Sequence, residues 1–375
     1  MYRGDRVRRA EPTKNDKKTD EVMKRNLKSY FAGRLALCLA TVCLPLLMAG
    51  CADDGAAPCT ADGATTSATL HMSVAGAAGT RAGEEDEYAG LENRINTLRV
   101  LVVTGGDQIV INHKLTEEEL TAGTVTIANI PVGKVTFYAL ANEAAFGKNY
   151  DPGQDKFEDQ FVYVAGRGNK VLITDSERRL FPMRFPEMQA KETGLPMSWI
   201  AREMEVTAGQ PITLDAELVR CVAKLNIIME NDLESDIYIK EMTFGNFFSD
   251  RLYLFGETSL DVPDDAQYDG KVYSYADEAD HIQIPAYGKQ TLACYIYPSY
   301  AWKPEVTNSP YTIGFTTQAR GTYPPKAFVD RGALNSIARN TQVNIRATLS
   351  VDASLTLSYE VVEWGKQPIT VPPFK

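Results

Sequence analysis

The chain has 375 residues, of which 44% are hydrophobic and 23% charged, enough for two domains with cores of their own. Its formal charge of −10 is unevenly spread: residues 1–50 hold 11 Lys and Arg against 5 Asp and Glu, leaving 28 against 44 in residues 51–375. A surface that acidic repels nucleic acid and anionic lipid, which argues against both as partners.

The basic head contains an export signal. "MKRNLKSYFAGR", Met23 to Arg34, is a charged leader, and "LALCLATVCLPLLMAG", Leu35 to Gly50, is an apolar run shorter than the roughly 20 residues a spanning helix needs. Met23 reads as the start, and residues 1–50 as a signal peptide. The run closes on "LLMAGC", which resembles the lipobox of bacterial lipoproteins, so Cys51 is the expected lipidation site. Met48 stands where that pattern usually has Leu, and a plain secretory signal cut near Gly50 is the alternative. "ADD" after Cys51 is similar to the acidic tags that send some lipoproteins to the outer face of the outer membrane.

Residues 51–90 are rich in Ala, Gly, Thr and acid and read as a tether. One strand interrupts it: in "SATLHMSVAG", Leu70, Met72 and Val74 alternate with polar or small residues. Arg81 follows in "VAGAAGTRAGEEDEYAG" and is the only Lys or Arg between Arg34 and Arg94. A lone Arg among Gly, Ala and acid offers a single site to an Arg-specific protease.

Beyond the tether, short alternating or apolar runs succeed one another: "INTLRVLVV", "QIVINH", "TVTIANIPVGKVTFYALANE", "FVYVAG" and "KVLITD". Only "LTEEEL" suggests a helix. The periodicity lapses around Pro182, Pro186, Pro196 and Pro211, which places a domain boundary near residue 205. Strands resume with "ITLDAELVRCVAKLNIIME", where Leu218 and Val219 break the alternation and suggest a bulge or a change of face. "IYIKEMTF", "RLYLFG", "HIQIPAYG", "QTLACYIYP", "YTIGFTT", "TQVNIRATLS" and "LTLSYEVVEW" continue to the tail "GKQPITVPPFK". The pattern is that of all-β sandwiches, one over 91–205 and one over 206–375.

Catalytic signatures are missing. His71, His113 and His281 have no Cys or second His at ligand spacing, and neither a G-x-S-x-G elbow nor a Walker loop occurs. The acidic stretches Asp151–Gln160 and Asp261–Gly270 do not match a calcium loop and read as solvated loops. No enzyme activity, cofactor or metal is expected. Trp199, Trp302 and Trp364 read as packing residues, with sugar stacking as the alternative. Cys221 and Cys294 lie in apolar strand-like runs and read as small hydrophobes, with a bridge between them as the other option.

Taken in order, "ENRINTLRVLVV", "IPVGKVTFYALANE", "LPMSW" leading into "LVRCVAKLNI", and the closing "LSYEVVEWGKQPITVPPF" resemble the FimA-like fimbrillins, subunits of the type V pili of Gram-negative anaerobes. That resemblance implies two transthyretin-like β sandwiches in tandem and a lipoprotein precursor. It further implies a trypsin-like protease that cuts between Arg81 and Ala82 and frees the first strand. The vacated groove would accept a C-terminal strand of the next subunit, with Ile369, Val371 and Phe374 as donor side chains. Pro372 and Pro373 limit the hydrogen bonds of such a donor, so the preceding run Leu355 to Val362 is expected to rearrange as well. The implied partners are other fimbrial subunits, the protease, and the outer membrane through the lipid. Alternatives are a surface lipoprotein that binds glycans without polymerising, a β-sandwich hydrolase, and an anchor or tip subunit of the same pilus.

Overall fold

The structure is a computed structural model that describes residues 63–76, 89–105, 108–146, 170–172, 193–256, 258, 260–302, 308–318, 321–328, 334–350 and 354–364. Among these residues the protein is all-β. Its strands are β1 (Thr65–Val74), β2 (Leu98–Thr104), β3 (Ile109–Lys114), β4 (Thr124–Pro131), β5 (Gly133–Ala141), β6 (Lys170–Leu172), β7 (Met197–Val206), β8 (Ile212–Arg220) and β9 (Ala223–Asn231). There follow β10 (Ile237–Ser249), β11 (Arg251–Tyr253), β12 (Tyr268–Ser274), β13 (Ile282–Ile284), β14 (Lys289–Ile296), β15 (Thr312–Thr317), β16 (Gly321–Ala327), β17 (Thr341–Leu349) and β18 (Leu355–Glu363). Two short helices accompany them, α1 (Ala89–Glu92) and α2 (Glu117–Ala122).

The first sheet runs β3-β2-β5-β7-β8-β1-β4. Its strands β7 and β8 match only at Met197 with Arg220 and at Ser198 with Val219, so the sheet turns a corner there. One leaf is β3-β2-β5-β7 and the other β8-β1-β4, and both feed a single core that includes Leu70, Val102, Phe137 and Leu218. Strand β2 is buried at every position from Leu98 to Val103, as a strand covered on both faces must be. Strands β4 and β5 are joined by Val132 alone, yet they do not pair: β4 lies against β1, while β5 lies between β2 and β7. The Pro131–Gly133 turn therefore carries the chain from one leaf to the other. Helix α2 is the expected "LTEEEL" segment, closed by a reciprocal cap in which Thr116 and Glu119 satisfy each other's backbone N–H.

The second core lies between the sheet β14-β9-β17-β18 and the sheet β12-β10-β15-β16, with β13 added alongside β10. Val343, Ile345, Ala347 and Leu349 of β17 are all fully buried, in agreement with their alternation in the sequence. Residues at 225, 227 and 229 of β9 face the same core, because β9 and β17 pair in parallel register. The stretch "ITLDAELVRCVAKLNIIME" is two strands, with Cys221 and Val222 passing the chain from the first sheet to the second. The two cores meet at that step: Val222 belongs to the first cluster and Ala223 to the second.

Cys221 and Cys294 are both buried and both free. Burial raises both thiols, Cys294 to about 12, and it likewise raises the Tyr311 hydroxyl to about 12. Cys294 and Tyr311 thus stay protonated in the folded chain, whereas in the unfolded chain they begin to ionise near their ordinary values of 9.0 and 10.0. The folded state holds more protons over that window, so stability is expected to fall as pH rises from about 9 towards 12. Urea unfolding at pH 8 and pH 10.5 measures this directly. Replacing Cys294 by Ala and Tyr311 by Phe should flatten the dependence.

Candidate functional site

The strand that precedes Arg81 is an inner strand. β1 pairs in parallel with β8 over Ala68–Val74 against Ile212–Leu218, and antiparallel with β4 from Thr65 opposite Pro131 to His71 opposite Thr124. Its alternation follows the period of a strand with one face on a core: Thr66, Ala68 and Leu70 point inward and are buried. Met72 and Val74 pack partly against the same cluster. On the outer face the Thr69 and Thr126 hydroxyls lie 3.2 Å apart, and His71 Nδ1 meets the Thr124 hydroxyl at 3.2 Å. Without β1, strands β4 and β8 would each present an open row of backbone N–H and C=O groups. The slot between them would be floored by Val125, Ile127, Ala216 and Leu218.

The exit of β1 is held by a buried polar cluster. Ala75 N–H donates to the Leu218 carbonyl at 2.9 Å, continuing the ladder by one residue. The Ala75 carbonyl accepts from Nη1 of Arg220 at 2.8 Å. Arg220 is only 1% exposed and also donates to the Glu92 carbonyl at 3.3 Å, to Asn340 Oδ1 at 2.7 Å and to Asn93 Oδ1. Its guanidinium lies 4.7 Å from the centre of the Trp364 ring. Burial lowers Arg220 to about 10, partly offset by the charge of Glu92, and it remains a cation at neutral pH.

Trp364, the residue that follows β18, sits in this cluster. Its indole N–H donates to Glu92 Oε2 at 2.8 Å, and its ring stacks on Tyr295 at 5.8 Å with a 3° tilt. Glu92 Oε1 accepts from the Tyr295 hydroxyl at 2.7 Å and pairs with the Lys224 ammonium at 2.8 Å. Gly76 (φ +74) completes the contact: a Cβ there would run into the Trp364 carbonyl oxygen. A cleft of about 570 Å³ opens beside it where β7 and β8 part, with Ala75, Gly76, Trp199, Glu217, Arg339 and Trp364 among its walls.

Three donors converge on the Glu92 carboxylate inside the protein, so removing its charge leaves Lys224 buried opposite a neutral amide. Glu92→Gln is expected to lower stability by about 3–5 kcal/mol, read from urea unfolding. A loss under about 1 kcal/mol would mean that the cluster is solvated.

The residues singled out in the sequence fall into two groups. Cys51, Arg81, Ala82, Ile369, Val371 and Phe374 lie outside the described residues. Trp364 is a packing residue at the cluster, Trp302 stacks with Tyr300, and Trp199 packs partly against the first core. His113 pairs with Glu119 at 3.0 Å. Among the described residues no group of three His, Cys, Asp or Glu could hold a metal, and no helix is long and apolar enough to cross a membrane. Sequence reasoning passed over Glu92, Arg220 and Lys224. The signal was present in "LVRCVAKLNI", where two cations sit inside a run too apolar to be a surface strand.

The family model for Fimbrillin-A associated anchor proteins Mfa1 and Mfa2 matches residues 66–370, from β1 into the C-terminal tail. The chain belongs to this family. Membership agrees with the resemblance to FimA-like fimbrillins and makes the protein a fimbrial subunit or adhesion protein of the cell surface. The chain is also similar in structure to a candidate cell adhesion protein from Parabacteroides distasonis ATCC 8503 (16% identity, TM-score 0.50, 83% of this chain and 99% of that one). Two proteins from Porphyromonas gingivalis are similar as well. One is the tip fimbrial protein Mfa3 with a C-terminal truncation (15% identity, TM-score 0.45, 80% of this chain and 100% of that one). The other is a fimbrilin (11% identity, TM-score 0.49, 80% and 98%). At such identity only the first comparison bears on this chain, and it bears on the fold. No curated protein matches the chain.

Proposed function

We propose that the protein is a pilus subunit made as a lipoprotein on Cys51, in which β1 holds open the place of a strand that another subunit later supplies. The observation that carries this reading is the position of β1, paired on both sides in the sheet and joined to the rest of the chain only through residues 77–88, which contain Arg81. A surface strand could be clipped off without consequence. Loss of an inner strand leaves two open edges beside an apolar slot, the arrangement that most readily pairs with another chain.

Before cleavage β1 competes for the slot as part of the same molecule, with an effective concentration that separate subunits do not reach. After a cut between Arg81 and Ala82 that advantage is gone. The C-terminal segment of a neighbour, with Ile369, Val371 and Phe374, can then fill the inward positions held by Ala68 and Leu70. Donation of this kind is head-to-tail and does not close, so it builds a filament. Among the described residues β18 is an edge strand paired only with β17, so it can supply extra length when the tail moves.

An anchor subunit is the second reading, favoured by the family's description and by the buried cluster that ties Ala75 into the protein. An anchor would keep both the lipid and β1. The variant Leu70→Ala separates the two. Leu70 is fully buried, so the precursor should lose about 2–5 kcal/mol. Assembled fibres should dissociate in denaturant as the wild type does, because β1 is no longer in them. Fibres weakened as much as the precursor would show that β1 is retained.

A further inference from the structure

The end of β1 and the start of the C-terminal segment are held by the same side chains. Two of the supports of Trp364 depend on β1. One is the Arg220 guanidinium, oriented by the Ala75 carbonyl at 2.8 Å, and the other is the Gly76 backbone against the Trp364 carbonyl. The remaining supports are Glu92 and Tyr295, reached through the same ring, and the Asn340 carbonyl, which accepts from the Trp364 backbone N–H at 3.4 Å.

We infer that Arg220 and Gly76 form a latch that makes the seating of Trp364, the residue from which the C-terminal segment departs, conditional on β1. This rests on the reading that β1 leaves the protein. When it leaves, Arg220 loses the Ala75 acceptor while keeping those on Glu92, Asn93 and Asn340, and the wall at Gly76 opens onto the neighbouring cleft. Trp364 then loses its backbone stop, and its ring is opened to water as the groove becomes vacant. Glu92 lies on the far side of the cut and stays with the mature chain, so the seat itself survives release.

The test uses the full chain carrying Trp199→Phe and Trp302→Phe, which leaves Trp364 as the sole tryptophan, excited at the red edge where tyrosine does not absorb. In the uncut protein its emission should be blue and shielded from acrylamide. After an Arg-specific protease has cut and mass spectrometry shows that the β1 fragment is gone, the emission should shift to the red and quenching should rise several-fold. Unchanged emission in that sample would overturn the latch while leaving strand removal intact.

A second arm needs no cleavage. Gly76→Ala in the uncut chain drives a methyl group into the Trp364 carbonyl and should at least double the quenching. Gly209→Ala carries a comparable backbone strain at φ +66 with open space around it, and should leave Trp364 shielded. If Gly76→Ala leaves Trp364 shielded, or if both variants expose it equally, the inference is wrong. If the protease fails to cut at Arg81, the subunit reading fails and the Gly76 arm still decides the latch.

Discussion

Chains carrying Arg81→Ala are expected to reach the cell surface, fold, and remain monomeric. In such a chain β1 stays covalently joined through residues 77–88 and keeps its place between β4 and β8. A tethered strand competes at an effective concentration on the order of millimolar, against micromolar free subunits, and that factor of about 10²–10⁴ falls directly on the polymer yield. The expected result is a loss of high-mass ladders on unheated gels by at least that order. The fold should be unaffected, since every described contact of β1 remains. Normal processing and normal ladders from Arg81→Ala would make the residue a bystander.

Deleting residues 367–375 should have an effect of similar size from the opposite end. The truncation leaves Trp364, β18 and the buried cluster in place, so a folded, cleavable subunit is expected. What it removes is Ile369, Val371 and Phe374, together worth roughly 4.5–9 kcal/mol if buried in a neighbour's slot. Association costs about 4–15 kcal/mol before any gain appears, so a donor without these side chains falls below threshold. Mixed with wild-type subunits, the truncated chain should accept a strand and donate none, so it should cap fibres and shorten them in proportion to its share. Fibres of unchanged length from the truncated chain alone would remove the tail from its assigned role and point to β18 as the donor.

The parts of this architecture that were legible in the sequence are those set by local physics. β17 could be read from Val343, Ile345, Ala347 and Leu349 because a strand with one face on a core must alternate. α2 could be read from its acidic first turn, and β1 from Leu70, Met72 and Val74 in an otherwise featureless tether. Pairing was not legible. Nothing in the sequence says that β1 runs parallel to β8 more than 140 residues later, or that β4 and β5, one residue apart, belong to different leaves. In the run from Ile212 to Glu230, Leu218 and Val219 suggested a bulge or a change of face. The run is two strands: the burial alternation continues through Leu218 to Arg220, and the chain changes sheets just beyond, at Cys221 and Val222.

Three strands escaped the sequence reading: β7, in the stretch whose scattered prolines suggest a domain boundary, and two others for a specific reason. β16 contains Pro324 and Pro325, which argue against a strand. Among the described residues it is an edge strand paired only with β15, where Gly314 leaves room for the Pro325 ring. β12 starts inside an acidic stretch that reads as a loop, and its residues are mostly exposed because it too is an edge. The buried cluster was missed because its members, Glu92, Arg220, Lys224, Tyr295 and Trp364, are scattered over 272 positions. Each alone looks like an ordinary surface or packing residue. Cys51, Arg81, Ala82 and the donor side chains came from pattern and resemblance, and their roles stand or fall by experiment.

The most direct test of the central claim, that β1 gives up its place to another chain, is the N-terminal sequence of the protein recovered from assembled fibres. The account predicts a free N-terminus at Ala82, with no peptide from Thr65–Val74 in the fibre. An acylated, blocked Cys51 in every chain, with β1 still present, would contradict it and leave the protein as a lipid-held anchor.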